Sequence, residues 1–169
     1  MDFSTLYRTY AKDVYRFALF LSGDPALADD IVSETFIRVW NARARVDLTT
    51  VKAYLFAVAR NFFLQQRRQA TRTTSLDDQM ADSGPGPHER ADARNELRLV
   101  LAALQALPEV DRSALLMRAD TAMPYDEIAR TLGISESAAK VKVHRARLKL
   151  AAARKRPRRT HMRGPTGEL

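Results

Sequence analysis

Five basic side chains fall between residues 135 and 150: Lys140, Lys142, Arg145, Arg147 and Lys149, with His144 among them and Glu136 the one acid. Cations at this density hold a polyanion, and their spacing along one helix suits a groove in which phosphates flank readable base edges. Other chemistry finds little support. The three histidines, His88, His144 and His161, lie far apart and share no ligand spacing, and the chain has no cysteine. We therefore expect no metal site and no cofactor. A recombinase would need arginines clustered around a Ser or Tyr nucleophile, yet Ser4 and Tyr7 have only Arg8 nearby. No catalysis is expected of this chain.

The elements that must carry these cations form a helix-turn-helix over residues 125–150. Ile128, Ala129 and Leu132 supply the buried face of the first helix, and the small Ala129 permits a close crossing. Gly133 makes the turn, Ile134 plugs the space between the helices, and Ser135 is placed to cap the second one. On that second helix Ala139, Val143, Ala146 and Leu150 recur at helical spacing and must face inward. Ser135, Ser137, Lys140, Lys142, His144, Arg145 and Arg147 are left as candidate DNA contacts. A helix-turn-helix alone leaves repressors, activators and recombinases open.

The rest of the chain also reads as helix. Phe3, Leu6, Tyr7, Tyr10, Val14, Phe17, Ala18 and Leu21 make one amphipathic stripe, ended by Ser22-Gly23. Asp24-Pro25 then opens a second helix that buries Leu27, Ile31, Thr35 or Phe36, and Val39. After a loop, Asn41 to Thr49, a third helix presents Val51, Tyr54, Leu55, Val58 and Phe62. Helical spacing disappears between Ala70 and Ala93, a stretch with Ser83-Gly84-Pro85-Gly86-Pro87 and two acidic clusters that reads as a linker. Its length would let the flanking halves work roughly 80 Å apart at ~3.3 Å per residue. Spacing resumes with Leu97, Val100, Leu101, Leu104 and Leu107, and continues past Pro108 with Val110, Leu115 and Leu116. The expected fold is all-α: a helical domain over 1–69, a linker over 70–93, a second helical domain over 94–153 and a basic tail over 154–169.

Charge follows the same divisions. Residues 1–69 carry ten basic and seven acidic side chains, 70–93 two and five, 94–153 ten and seven, and 154–169 six and one, for a net +8. Two mildly basic segments about an acidic one suit contact with a polyanion in more than one place. Apolar residues make up 46%. No apolar run approaches the ~20 residues of a membrane span, and the start does not read as a signal peptide. No membrane insertion is expected, and the absence of cysteine makes the cytoplasm the simplest home.

The N-terminal half narrows the choice. Asp29-Asp30-Ile31-Val32-Ser33-Glu34-Thr35-Phe36-Ile37-Arg38-Val39-Trp40 resembles the region 2.2 signature of sigma factors. Tyr54-Leu55-Phe56-Ala57-Val58-Ala59-Arg60-Asn61 and Arg67-Arg68 are similar to regions 2.3 and 2.4, and residues 97–150 to region 4, including Leu104-Gln105-Ala106-Leu107-Pro108. The order of the segments and the missing middle domain resemble the extracytoplasmic-function class of the sigma-70 family. Tyr54 stands where tryptophan is common, Gln65 where aspartate is common, and Ala138 and Val141 where small polar residues often sit. The resemblance implies a factor that binds the RNA polymerase core, at its β′ clamp and β flap, and directs it to promoter DNA. It implies core contacts at Asp29, Asp30, Ser33, Glu34 and Ile37. For the unpaired −10 element it implies Val51, Arg60, Asn61, Arg67 and Arg68, with a base pocket formed by Asn61 and the loop 41–50. It places the duplex −35 element on the recognition helix, threads the linker toward the polymerase active centre, and suggests an anti-sigma factor as a further partner.

Overall fold

The structure, a computed structural model, describes residues 2–42, 51–73 and 88–155. Among them every regular element is an α-helix, in the order α1 (Phe3–Ser22), α2 (Pro25–Asn41), α3 (Val51–Thr73), α4 (His88–Gln105), α5 (Glu109–Thr121), α6 (Tyr125–Leu132) and α7 (Glu136–Lys155). The expected all-α fold is the one observed. Helix α3 runs to Thr73 and α4 begins at His88, so both ends of the expected linker are helical. Its middle, residues 74–87, the loop 43–50 and the tail from 156 lie outside the described residues.

Local chemistry sets the boundaries of the first two helices. The Asp2 carboxylate accepts from the Thr5 amide at 2.7 Å and caps α1, meeting one of the donors a helix start leaves unpaired. Gly23 ends α1 at φ 69°, in the left-handed region that glycine adopts without Cβ strain, and its N–H bonds the Leu19 carbonyl. Asp24 then caps α2 through the Ala26 and Leu27 amides, with Pro25 at the first position.

Helices α1, α2 and α3 pack as a bundle around Val14, Phe17, Leu21, Ile31, Leu55 and Phe56. The Phe17 and Phe56 rings meet at 4.7 Å between centroids. Burying each such ring contributes ~1.5–3 kcal/mol before entropy. Among the described residues the one polar side chain sealed in this bundle, Thr35, donates to the Ile31 carbonyl at 2.6 Å, so its hydroxyl is satisfied. On α3 the buried stripe is Val51, Leu55, Phe56, Ala59 and Phe63, with Tyr54, Val58 and Phe62 only half-buried. The sequence reading of this face is thus turned by one residue.

Helix α5 is the centre of the molecule. Residues 111–117 are buried without interruption, which a helix achieves only when it is covered on every side. Helices α6 and α7 cover part of it, and α1 of the N-terminal bundle covers another. The two halves, which the linker would allow to stand far apart, are docked, with α1 against α4 and α5 and α3 against α6. Helix α4 differs from expectation: Leu104 is buried, while Leu97 and Val100 stand exposed and Leu101 is half-buried.

Candidate nucleic-acid and partner interfaces

The helix-turn-helix is built as its residues require. Ile128 and Ala129 are buried, Leu132 and Ile134 are packed at the edge of the core, and Gly133 turns the chain at φ 67°. The Ser135 hydroxyl accepts from the Ala138 amide at 3.1 Å and caps α7. Ala139, Val143 and Ala146 have no exposed surface, and Leu150 is half-buried. Ser135, Ser137, Lys140, His144, Arg145 and Arg147 all face solvent on this helix. Lys140 ties loosely to Glu136 at 3.5 Å, an exposed pair one turn apart. Its ammonium also stands 5.8 Å from the Tyr125 ring, on which Arg118 stacks at 4.5 Å. Such stacking anchors the start of α6 near the recognition helix.

Lys142 is the exception among the candidate cations. It turns toward α5, where its ammonium lies 3.4 Å from Asp111, and Arg145 approaches the other oxygen of that carboxylate at 3.9 Å. Asp111 is buried, and its second oxygen has no hydrogen-bond partner. A buried carboxylate of this kind attracts neighbouring cations strongly and fixes their direction. It therefore sets the stance of two basic side chains on α7. Nothing in the helix-turn-helix pattern identifies Asp111.

On α2, Asp29, Asp30, Ser33 and Ile37 face solvent, and Glu34 is partly covered because Arg38 binds it at 2.8 Å. Arg38 in turn reaches Gln65 at 3.0 Å and lies over the Phe62 ring, so the position where aspartate is more usual still joins α2 to α3. The acidic face ends on apolar surface: Ile37 is exposed, and Trp40 stacks edge-on against Phe3 at 4.9 Å while leaving 45% of its surface open. A face with carboxylates at one end and an aliphatic and an indole at the other suits a protein partner.

The candidate −10 residues do not share one environment. Asn61, Arg67 and Arg68 are exposed, whereas Val51 is buried in the bundle. The pocket loop 43–50 lies outside the described residues. Arg60 is engaged elsewhere: it holds Glu109 of α5 through two parallel bonds of 2.6 and 2.9 Å. Both side chains are nearly covered, at 13% and 11% exposure. Ser113 donates to the same carboxylate at 2.7 Å. Burial pushes the Glu109 carboxyl up, but the bonds from Arg60 and Ser113 outweigh it and hold the group below its ordinary range.

Further polar contacts join the halves among the described residues. Arg16 pairs with Asp120 at 3.0 Å. Gln105 donates to the Phe20 and Leu21 carbonyls, and Arg112 donates to Leu21 at 2.9 Å and to Gln105. These carbonyls lie at the C-terminal end of α1, where cations and donors are favoured. Burial, and the nearby charge of Arg67, push the Arg112 guanidinium down from its ordinary value. Sequence reasoning missed Glu109, Asp120 and Arg112. Arg60 and Glu109 are 49 positions apart, so no local pattern distinguishes this pairing from an acid favoured by the first turn of its own helix.

Comparison with known proteins gives these surfaces a family. Residues 6–73 match the model for Sigma-70 region 2, and residues 97–150 that for Sigma-70 region 4. The chain is 32% identical over 154 residues to the ECF RNA polymerase sigma factor SigM of Bacillus subtilis, covering 90% of this chain and 94% of that one. It is 31% identical over 145 residues to SigL of Mycobacterium tuberculosis, also an ECF sigma factor, covering 83% and 82%. Among solved structures it resembles RpoE of Bartonella quintana, crystallised with the anti-sigma factor NepR, with a TM-score of 0.76, 25% identity and coverage of 93% and 99%. It also resembles CnrH in complex with the cytosolic domain of CnrY, at 0.66 and 26%, covering 89% and 85%. With both regions present, in order and at these identities, the chain belongs to the extracytoplasmic-function sigma factors of the sigma-70 family, regulatory DNA-binding proteins of promoter-specific transcription initiation.

Proposed function

We propose that this chain binds core RNA polymerase through the outer face of α2 and reads promoter DNA through α7 and the polar side of α3. The observation that carries the reading is the separation of two exposed surfaces of opposite character. Asp29, Asp30, Ser33 and Ile37 stand out from α2, and Lys140, His144, Arg145 and Arg147 stand out from α7. The acidic and apolar α2 face suits a basic helix of the polymerase clamp, and the α7 face suits the −35 duplex. Ser135 and Ser137, exposed at the start of α7, are placed to reach phosphates.

On α3, the exposed Asn61 side chain has no hydrogen-bond partner among the described residues. Its amide offers both donors and acceptors to the edge of an unpaired −10 base. Arg67 and Arg68 follow two turns later and suit the strand backbone. Region 4 would meet the polymerase at its flap. The complexes of similar sigma factors with NepR and CnrY support an anti-sigma partner for this chain as well.

The test is reconstitution. The purified chain should co-elute with core polymerase and give run-off transcripts on genomic promoters that core alone does not produce. Tight, sequence-specific retention of promoter duplex by the chain without polymerase, and no transcript with it, would instead mark a free-standing regulator.

A further inference from the structure

The outermost line of the recognition helix is apolar. Ala139, Val143 and Ala146 face the core, and helical geometry puts Val141 and Leu148 directly opposite them, 52% and 59% exposed. The cations lie beside this line and not on it. Lys140 leans back to Glu136 on one flank, and Lys142 and Arg145 turn toward Asp111 on the other. A single exposed aliphatic is ordinary on a protein surface. Here one crowns the helix between two basic flanks, at the place that would lie deepest in a groove.

We propose that Val141 reads a thymine of the −35 element, packing its two methyl groups on the C5-methyl of the base. The inference rests on the reading of α7 as the helix that enters the −35 major groove. On the floor of that groove guanine shows two acceptors, cytosine a donor and adenine one of each; thymine alone adds an apolar group. Against a G·C pair Val141 would strip water from polar edges and return no hydrogen bond, a penalty that selects for A·T. The flanking cations are placed for the phosphates on either wall, which hold register without reading sequence.

Position along the helix agrees. The N-terminal residues of a recognition helix reach base edges, and Val141 lies less than two turns beyond the Ser135 cap. Leu148 lies ~10 Å farther along at 1.5 Å per residue, past the reach of the same base step. Ala138, half-buried on the preceding turn, offers no polar side chain to compete for that base.

The test changes the DNA by one methyl group. Deoxyuridine keeps every hydrogen-bonding group of thymidine and lacks only the C5-methyl. Holoenzyme reconstituted from the full chain and core polymerase is titrated with a promoter duplex recovered by run-off transcription, each thymine of its −35 element, on either strand, being replaced in turn by deoxyuridine. At one position the replacement should weaken binding about fourfold, the contribution of one buried methyl. Val141→Ser should abolish that ratio and bind both duplexes alike, whereas Leu148→Ser should keep it. This comparison of ratios isolates the contact between side chain and methyl from any change in DNA shape. Val141 is exposed, so the variant should melt with the parent; if it unfolds, Val141→Ala gives the same comparison.

A −35 element without an A·T pair, a parent indifferent to every replacement, or a fourfold loss that persists in Val141→Ser would each overturn the proposal. Failure of the underlying reading looks different: scrambling the whole −35 element would then leave the affinity of the holoenzyme unchanged.

Discussion

Replacing Asp111 by asparagine tests how region 4 holds its recognition helix. The substitution keeps the shape and removes the charge that faces Lys142 and Arg145. The Lys142 contact is long, at 3.4 Å, against ~2.7–2.9 Å for strong charge-assisted bonds. Its loss should therefore fall at the low end of the ~1.5–3 kcal/mol assigned to hydrogen bonds with charged partners. The 3.9 Å approach of Arg145 is an attraction without a hydrogen bond. Two effects offset the loss: an amide costs less to bury than a carboxylate, and the long Lys142 stem can extend to water. A net destabilisation of ~1 kcal/mol follows, lowering Tm by about 2–4 °C for a chain of this size. DNA binding should move in the other direction. A released Lys142 adds one cation to the groove face, so the slope of log K against log salt on −35 duplex should steepen by ~0.9. Anisotropy titrations at several salt concentrations, paired with thermal melts, read both quantities. A shallower slope, or a Tm equal to the parent's with an unchanged slope, would refute the assignment of Asp111 as the residue that restrains Lys142.

Reversing Asp30 and Glu34 to lysine should abolish co-elution with core polymerase. Helical content should hold, because exposed charges seldom alter stability by more than ~0.5 kcal/mol and the lost Glu34–Arg38 pair is worth about as much. Asn61→Ala should leave core binding intact and reduce permanganate-reactive, opened −10 DNA; equal opening by mutant and parent on duplex promoter would remove Asn61 from the mechanism. Alanine at Lys140, Lys142, His144 and Arg145 together should end −35-dependent transcription, with a base-contacting member of the set costing ~1–3 kcal/mol alone. Acid should undo the docking of the halves. Glu109, which faces Arg60, Ser113 and the charge of Arg112, is held below its ordinary value of 4.5. Its contribution is thus complete above that value and is lost as pH falls through the depressed one. Energy transfer between fluorophores placed on the two halves should drop in that acid window and not between neutral pH and 4.5.

Much of this was legible because periodicity and burial coincide. On α7, Val143 and Ala146 have charged or polar neighbours on both sides, so one face alone can enter a core, and on α1 the stripe holds from Val14 to Leu21 while Tyr7 stands exposed. Helix α3 is different. Residues 53–59 are apolar without a break, and a pattern with no polar member cannot say which side is inward; the Phe17 ring decides it by meeting Phe56. On α4 the periodicity of Leu97, Val100 and Leu101 promises burial that the described residues do not supply. Helix α5 fails in the opposite sense. Asp111, Arg112 and Ser113 read as surface, yet they are among the most covered residues in the molecule. Their burial comes from α7 on one side and α1 on the other, and spacing within a single helix carries no record of either.

The chemistry of the docked faces bears on whether they are made to separate. An ion pair buried between surfaces that never part can often be replaced by apolar residues of similar volume with no loss, or with a gain of ~1–4 kcal/mol, because desolvation consumes much of the Coulomb attraction. A permanent seam would therefore have little need of Arg60, Glu109 and Arg112. Polar groups do something apolar ones cannot: once parted, each can hydrate or take another charged partner, whereas exposed leucines would favour re-closure or aggregation. The groups at this seam divide accordingly. Arg60, once parted from Glu109, can take another anion, and Arg16 and Asp120, joined at 3.0 Å with Arg16 already half in water, rehydrate readily. Arg112 and Gln105 leave behind only the carbonyls at the end of α1, which water can satisfy. Each of these contacts between described residues can be broken without stranding a buried charge, which is the chemistry that suits surfaces able to part.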